Sequence, residues 1–252
     1  MTGGTRGIGL AMARALLDAG ASVVVASRDA DACAEAETLL SEHGPAFGIV
    51  ADLSTQSGSA DLAAKVNERF DGIDILVNNA GTTWGAPFEE FPEIGWDKVV
   101  DLNLKAPFYA TQRFVPLLKS RGTPANPSRV INIGSIDGLQ VSGGTNYSYA
   151  ATKAAVHHLT RVLARELAAS HIVVNAIAPG PFATKMMAPL LAKHADRIIA
   201  SSPLGRIGHD DDIAGAVIYL ASTASAWVTG ATLSVDGGIA TTLATDWAPN
   251  GC

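Results

Sequence analysis

Cysteine is nearly absent: Cys33 and Cys252 are the two in 252 residues. They cannot build a disulfide framework or a cysteine-based zinc site. The start of the chain has no signal-peptide pattern, and with so little cysteine a cytoplasmic location is expected. Proline is scarce as well, 12 against 25 glycines, so tight turns abound and no proline-rich linker divides the chain. No uninterrupted apolar run reaches ~18 residues, which argues against a membrane-spanning helix. Basic residues are in deficit: 18 Lys and Arg against 24 Asp and Glu give a net charge of −6. The cationic footprint of a nucleic-acid binder is therefore lacking. His43, His157, His158, His171, His194 and His209 show no metal-ligand spacing, so no metal is expected.

Apolar residues supply 48% of the chain and charged residues 17%, enough for one sizeable core. Short β-branched runs recur at Val23–Ala26, Gly48–Val50, Ile73–Val77, Arg129–Ile133, Ile172–Ile177 and Thr232–Val235. They are apolar on both faces, as buried parallel strands are. Helical periodicity fills the gaps at Ile8–Ala19, Ala30–Glu42, Ser59–Phe70, Trp96–Leu118, Tyr147–Ala169 and Asp211–Ser222. This alternation predicts an α/β fold with a doubly wound parallel sheet of Rossmann type. With no internal repeat and no linker, residues 1–252 read as a single domain. The weakly patterned stretch Phe182–Gly208 reads as a substrate lid, or else as a plain surface excursion.

The chain opens Thr2-Gly3-Gly4-Thr5-Arg6-Gly7-Ile8-Gly9 and runs straight into a helix. Glycines at 3, 7 and 9 let the backbone turn sharply and approach a pyrophosphate, which the helix N-terminus attracts. Such a loop should follow a strand, yet only Met1 and Thr2 precede it. The first, central strand of the sheet is thus expected to be missing, with a natural start further upstream. The run Val25-Ala26-Ser27-Arg28 then decides the dinucleotide. Ser27 stands where an NAD-binding acid would be, and Arg28 follows it. With Arg6 in the glycine loop, two guanidinium groups could hold a 2′-phosphate, which points to NADP(H). Asp29 leaves the NAD reading open, since a one-residue shift would offer a carboxylate.

Tyr149 and Lys153 lie four residues apart and share one helix face. A nearby ammonium can lower a phenol's pKa and suit it to proton exchange with a carbonyl or alcohol. Alone, the pair could equally be a surface tyrosine and a snorkelling lysine. Ser135 ends the run Asn132-Ile133-Gly134-Ser135, at the carboxyl end of a predicted strand, where open α/β sheets place ligands. Its hydroxyl could steady a carbonyl oxygen, or merely cap a turn. Asn103, in Asp101-Leu102-Asn103-Leu104-Lys105, puts an amide inside an otherwise amphipathic helix.

In order and spacing these motifs resemble the short-chain dehydrogenase/reductase family, from residue 2 to about 240, with the loop in its T-G-x-x-x-G-x-G form. The resemblance is strongest to the 3-oxoacyl-[acyl-carrier-protein] reductase group, in the branch tied to bacterial rhamnolipid synthesis. Asn78-Asn79-Ala80-Gly81-Thr82-Thr83-Trp84-Gly85 and Arg129–Ser135 carry that likeness. The resemblance implies cofactor contacts from Gly3, Thr5, Arg6, Gly7, Ile8, Gly9, Ser27, Arg28, Asp52 and Leu53. It implies further contacts from Asn79, Ala80, Gly81, Tyr149, Lys153, Pro179, Gly180 and Thr184. Asn78 is as readily a sheet-steadying amide as a cofactor contact. Asn103 would hold a water in a proton relay beside Lys153, and a helix-kink amide is its plain alternative. The family also implies a homotetramer, which would use the outer faces of the two longest helices.

The expected function is NADPH-dependent reduction of a ketone, a 3-oxoacyl thioester or related keto compound. The alternatives are an alcohol or sugar dehydrogenase working oxidatively, and a dinucleotide-binding protein without turnover. Tyr147 is expected to wall the pocket. His157 and His158 are expected at a surface or interface, and His209-Asp210-Asp211-Asp212 as a helix cap.

Overall fold

The computed structural model describes residues 1–141 and 143–242. Residues 243–252, including Cys252 and most of the tail 239–252 that shows no strand pattern, lie outside the described residues, as does Ser142. Strands β1 (Val23–Ser27) and β2 (Ala46–Val50) pair in parallel. Strands β3 (Ile75–Asn78), β4 (Ser128–Ile133), β5 (Ile172–Pro179) and β6 (Thr232–Val235) form a second parallel group in that order. No strand lies between β1 and β3 among the described residues. Thr2 alone bridges Ala26 on one side and Asn78 on the other. Its N–H donates to Val77 O at 2.9 Å, and the next residue, Gly3, donates to Ala26 O at 2.8 Å. The spatial order is therefore β2-β1-Thr2-β3-β4-β5-β6, a doubly wound sheet in which residues 1–3 occupy the central position.

Helices cover both faces. Helices α1 (Gly7–Asp18), α2 (Ala30–Ser41) and α8 (Asp210–Ala221) belong to one side. Helices α3 (Gln56–Asn67), α5 (Ala106–Lys119) and α6 (Tyr147–Leu167) belong to the other. The period-2 side-chain pattern of strands decides which core each residue enters. On β4, Ile131 and Ile133 pack with Met12, Leu16 and Val217, while Val130 packs with Phe114, Leu118 and Leu163. The run at the start of α8 is a cap as expected: His209 and Asp212 form a capping box, and Arg206 pairs with Asp212.

Two departures from the sequence pattern bear on function. The predicted helix Trp96–Leu118 is three pieces: α4 (Glu93–Val100), a π-helical turn (Asp101–Lys105) and α5. The stretch 182–208 is not structureless. It holds α7 (Ala188–Ala200), a strongly amphipathic helix with no buried residue. Its base is pinned where Phe182 bridges Gly208. Its apolar periodicity is present in the sequence, so the expectation of a weakly patterned stretch is corrected.

The centre of the sheet depends on one hydroxyl. Thr2 Oγ1 accepts from the Asn79 and Ala80 N–H groups, both at 3.0 Å. Thr2→Val keeps the shape and leaves both donors unpaired, so unfolding free energy should fall by about 2–4 kcal/mol in urea titration. An unchanged midpoint would show that the hydroxyl does not hold the two halves together.

Candidate active site

The glycine loop adopts the geometry that its composition suggests. Gly3 and Gly7 have φ of +63° and +54°, a region that side chains avoid. A Cβ on Gly3 would lie 2.8 Å from Ala80 Cα, so the loop rests directly on the segment after β3. Asn79 Nδ2 ties the two together, donating to Thr2 O at 3.1 Å and Gly3 O at 2.8 Å. Thr5 and Arg6 form the apex, with Arg6 exposed and its side chain making no cap on α1. The N–H groups of Gly7, Ile8 and Gly9 open the first turn of α1, and that turn carries no acidic residue. This cradle has space and N–H donors for a pyrophosphate. Thr184 reaches it from the far side, its Cγ2 being 3.4 Å from where a Gly7 Cβ would stand. Pro179 ends β5, and the Gly180 N–H donates to Val235 O at 2.9 Å. A Cβ there would run into Asp236.

At the end of β1, Asp29 is taken up elsewhere: its Oδ1 caps α2 by accepting from Ala32 N at 3.1 Å. Ser27 Oγ accepts from Asp29 N at 3.3 Å. Arg28 is left exposed beside β2. The hydroxyl and N–H of Ser54 bond Asp52 and lower its pKa, with a smaller contribution from Arg28. Leu53, next to it, is buried. A cation beside a serine, with the nearest carboxylate committed to a helix cap, fits a phosphorylated ribose better than a bare diol.

The reactive groups gather at the carboxyl ends of β3 and β4. Ser135 follows β4, is buried, and its Oγ accepts from Asp137 N at 3.2 Å across the 3-10 turn Ile136–Gly138. It is thus a turn cap, and it stands near enough to the Tyr149 phenol to offset part of the effect of burial there. Lys153 sits one turn beyond Tyr149 on α6, its Nζ 5.5 Å from the phenol ring centre. That ammonium donates to Ile133 O at 2.7 Å. Burial pushes the phenol up to about 12, against the Ser135 hydrogen bond, with Asp137 pushing the same way as burial. Burial also lowers Lys153 to about 8. The sequence reading expected the ammonium to lower the phenol's pKa. In the structure desolvation outweighs it, because the lysine is turned to a main-chain carbonyl.

Asn103 occupies the π turn and is buried. Its Oδ1 accepts from Thr82 N at 2.8 Å and its Nδ2 donates to Thr82 O at 2.9 Å. The extra residue of the π turn presents this amide inward, a use such turns often serve. Gly81 borders both groups: a Cβ there would lie 3.4 Å from Asn103 Oδ1 and 3.8 Å from Lys153 Nζ. The structure therefore brings Asn103, Ser135, Tyr149 and Lys153 into one place. Ser27, Arg28, Asp52 and Leu53 stand apart at the β1–β2 end, and the glycine loop lies between.

Several neighbours escaped the sequence reading. Thr152 Oγ1 lies 3.4 Å from Asn103 Nδ2, and no spacing rule would single it out. Asp137 and Asn146 bond each other beside the site. Tyr147, expected to wall the pocket, packs edge-on against Phe88 and Phe91. His157, expected at a surface, is buried under the turn from Gly134 to Gly138, while His158 is exposed. Asn78 is structural: its amide donates to Thr111 Oγ1 and Asn132 Oδ1 inside the core.

A family model described as Enoyl-(Acyl carrier protein) reductase matches residues 3–240. Over 242 residues the chain is 46% identical to the rhamnolipids biosynthesis 3-oxoacyl-[acyl-carrier-protein] reductase of Pseudomonas aeruginosa, covering 94% of each. It is 38% identical, over 94% of each chain, to a 3alpha-hydroxysteroid dehydrogenase of Mediterraneibacter gnavus. Among solved structures, the Pseudomonas aeruginosa RhlG/NADP active-site complex is similar at a TM-score of 0.92 and 45% identity, over 95% of this chain and 94% of that one. A gluconate 5-dehydrogenase from Burkholderia cenocepacia, in complex with NADP and tartrate, gives a TM-score of 0.89 at 35% identity, over 96% and 94%. With the glycine cradle and the gathered Asn, Ser, Tyr and Lys already in place, the match along nearly the whole length means that this chain belongs to the short-chain dehydrogenase/reductase family.

Proposed function

We propose that the chain is an NADP(H)-dependent carbonyl reductase acting on a ketone, a 3-oxoacyl thioester or a related keto compound. The observation that carries this is the meeting of Ser135, Tyr149 and Lys153 at the sheet's carboxyl edge, beside a backbone cradle suited to a pyrophosphate. Relatives whose names state 3-oxoacyl reduction, and a similar structure that contains NADP, support the substrate class and the cofactor.

When bound, the nicotinamide cofactor supplies the hydride. Ser135 donates a hydrogen bond to the substrate oxygen as negative charge grows on it. Tyr149, held protonated at neutral pH by burial, gives its proton to that oxygen. Lys153, held at Ile133 O, would bind the cofactor ribose, and its charge would favour the phenolate. Asn103 would hold a water beside Lys153 for proton return. The loop residues Gly3, Thr5, Arg6, Gly7, Ile8 and Gly9 would hold the phosphates. Ser27 and Arg28 would hold the 2′-phosphate, and Asp52 and Leu53 the adenine. Asn79, Ala80, Gly81, Tyr149 and Lys153 would hold the ribose, and Pro179, Gly180 and Thr184 the nicotinamide.

Residues 182–208 serve as the lid of a one-domain enzyme. Exposed Met186, Leu190 and Leu204 give that segment an apolar face for an acyl chain to cover. No helix among the described residues is long and apolar enough to cross a membrane. A cytoplasmic homotetramer completes the reading, and partly exposed Phe108 on α5 and Val162 on α6, with Trp96 on α4, support subunit contact. Alcohol oxidation is the second reading, favoured by the dehydrogenase names among the relatives.

Three measurements test this. Tyr149→Phe should lower kcat for ketone reduction by about 10²–10⁴-fold while leaving NADPH affinity intact. Retained turnover would sink the mechanism, and absent turnover in the wild type despite NADPH binding would favour a non-enzymatic role. Arg28→Ala should raise KM for NADPH by about ten-fold or more, the loss of one or two charged hydrogen bonds, without changing KM for NADH. Equal use of both cofactors by the wild type contradicts the assignment. Lys153 has a lower pKa folded than unfolded, so its burial destabilises the fold below pH 8 and that cost fades as pH rises toward 10.5. Lys153→Met should abolish turnover yet raise unfolding free energy at pH 7 by up to about 3 kcal/mol, with a smaller gain at high pH. Lower stability at pH 7 would show that the Ile133 contact outweighs desolvation.

A further inference from the structure

Asp137 is a carboxylate that the reaction described above does not use, yet it stands within the frame of the site. It lies in the 3-10 turn after Ser135, and its own N–H donates to Ser135 Oγ at 3.2 Å. Its side chain crosses to the start of α6, where Oδ2 accepts from Asn146 Nδ2 at 2.9 Å. Asn146 precedes Tyr149 by three residues. The carboxylate is thus held between the hydroxyl that meets the substrate oxygen and the helix that carries the proton donor. It is half-buried, and neither a cation nor a partner for Oδ1 faces it among the described residues. Its charge is felt at the phenol, where it adds to the effect of burial.

We propose that Asp137 is a specificity-determining residue that selects the charge of the substrate next to the reacting carbonyl. The proposal rests on the carbonyl-reductase reading and narrows it. A ketone whose oxygen lies between Ser135 and Tyr149 has one substituent beside this carboxylate. An uncharged substituent is accepted there, and one with a hydroxyl or N–H can donate to the free Oδ1. A carboxylate substituent meets a like charge with no cation to offset it, and like charges across a partly dry contact repel strongly. Uncharged keto esters and thioesters therefore fit, and keto acids and oxidised sugar acids do not.

The full chain is assayed with NADPH on two probes alike around the carbonyl and different in charge, ethyl acetoacetate and acetoacetate. The wild type should prefer the ester. Asp137→Asn, which keeps an acceptor for Asn146, and Asp137→Ser should each raise kcat/KM for acetoacetate by about ten-fold or more, with the ester changing less than about three-fold. A preference that neither variant moves overturns the proposal and leaves the reductase reading standing. Equal loss on both probes also overturns it, since Asp137 would then be a brace acting through Asn146. If the wild type binds NADPH and reduces neither probe nor any other ketone, the reductase reading fails and takes this inference with it.

Discussion

Lys153 carries an ammonium into the interior, 5% exposed, against a single main-chain carbonyl, that of Ile133. Nothing acidic pairs with it among the described residues, and its depressed pKa records the cost. The neighbouring phenol is displaced in the opposite direction by the same burial. Both shifts leave the pair one step from its working state. A phosphorylated, ribose-bearing ligand would supply the oxygen partners that the ammonium lacks and would hold its charge beside the phenol. On the proposed mechanism, the acidity of Tyr149 would then depend on a filled cofactor site.

The surrounding structure keeps this arrangement rigid. A buried polar ladder runs Asn78 to Asn132 to Thr160, at 2.9 Å for each step, linking β3, β4 and α6. These elements respectively lead into the Asn79–Gly81 segment, lead into Ser135, and carry Tyr149 and Lys153. The ladder's members, each 3% exposed or less, lie in the core, where an unmatched amide is expensive. Slippage of any one element would break a bond that water cannot replace. The π turn works toward the same end from the other side, since it swings Asn103 inward to clamp Thr82.

Much of this was legible in the sequence because it follows from periodicity and chemistry. The six strands and most helices have strong apolar patterns, and Tyr149, Lys153 and Ser135 have reactive groups at readable spacings. The π turn was not legible: its extra residue shifts the phase of the apolar face by about 100°, and Trp96–Leu118 reads as one helix unless that shift is sought. The periodicity of α7 was present in the sequence but was read as weak. Asp137 is a lone acid in a turn, and turns commonly contain acids for solvation alone. Only its bond to Asn146, nine residues away, distinguishes it. His157 shows the reverse problem, a polar residue on a helix whose ring lies where a side chain on Gly134 would stand.

The glycine loop is tied to the strands on either side of it. Met1 and Gly3 bond β1, and Thr2 bonds β3, through the main chain. Asn79 supplies two more bonds by donating to the carbonyl oxygens of Thr2 and Gly3. The same asparagine lies against Gly9, where any side chain would collide with it. The phosphate cradle therefore takes its position from the end of β3 as much as from the chain before it. Since β3 is also bound to β4 and, through Asn132, to α6, the cradle and the Tyr149–Lys153 pair share one reference frame. The spacing between a bound pyrophosphate and the proton donor is set by that shared frame rather than by the loop alone.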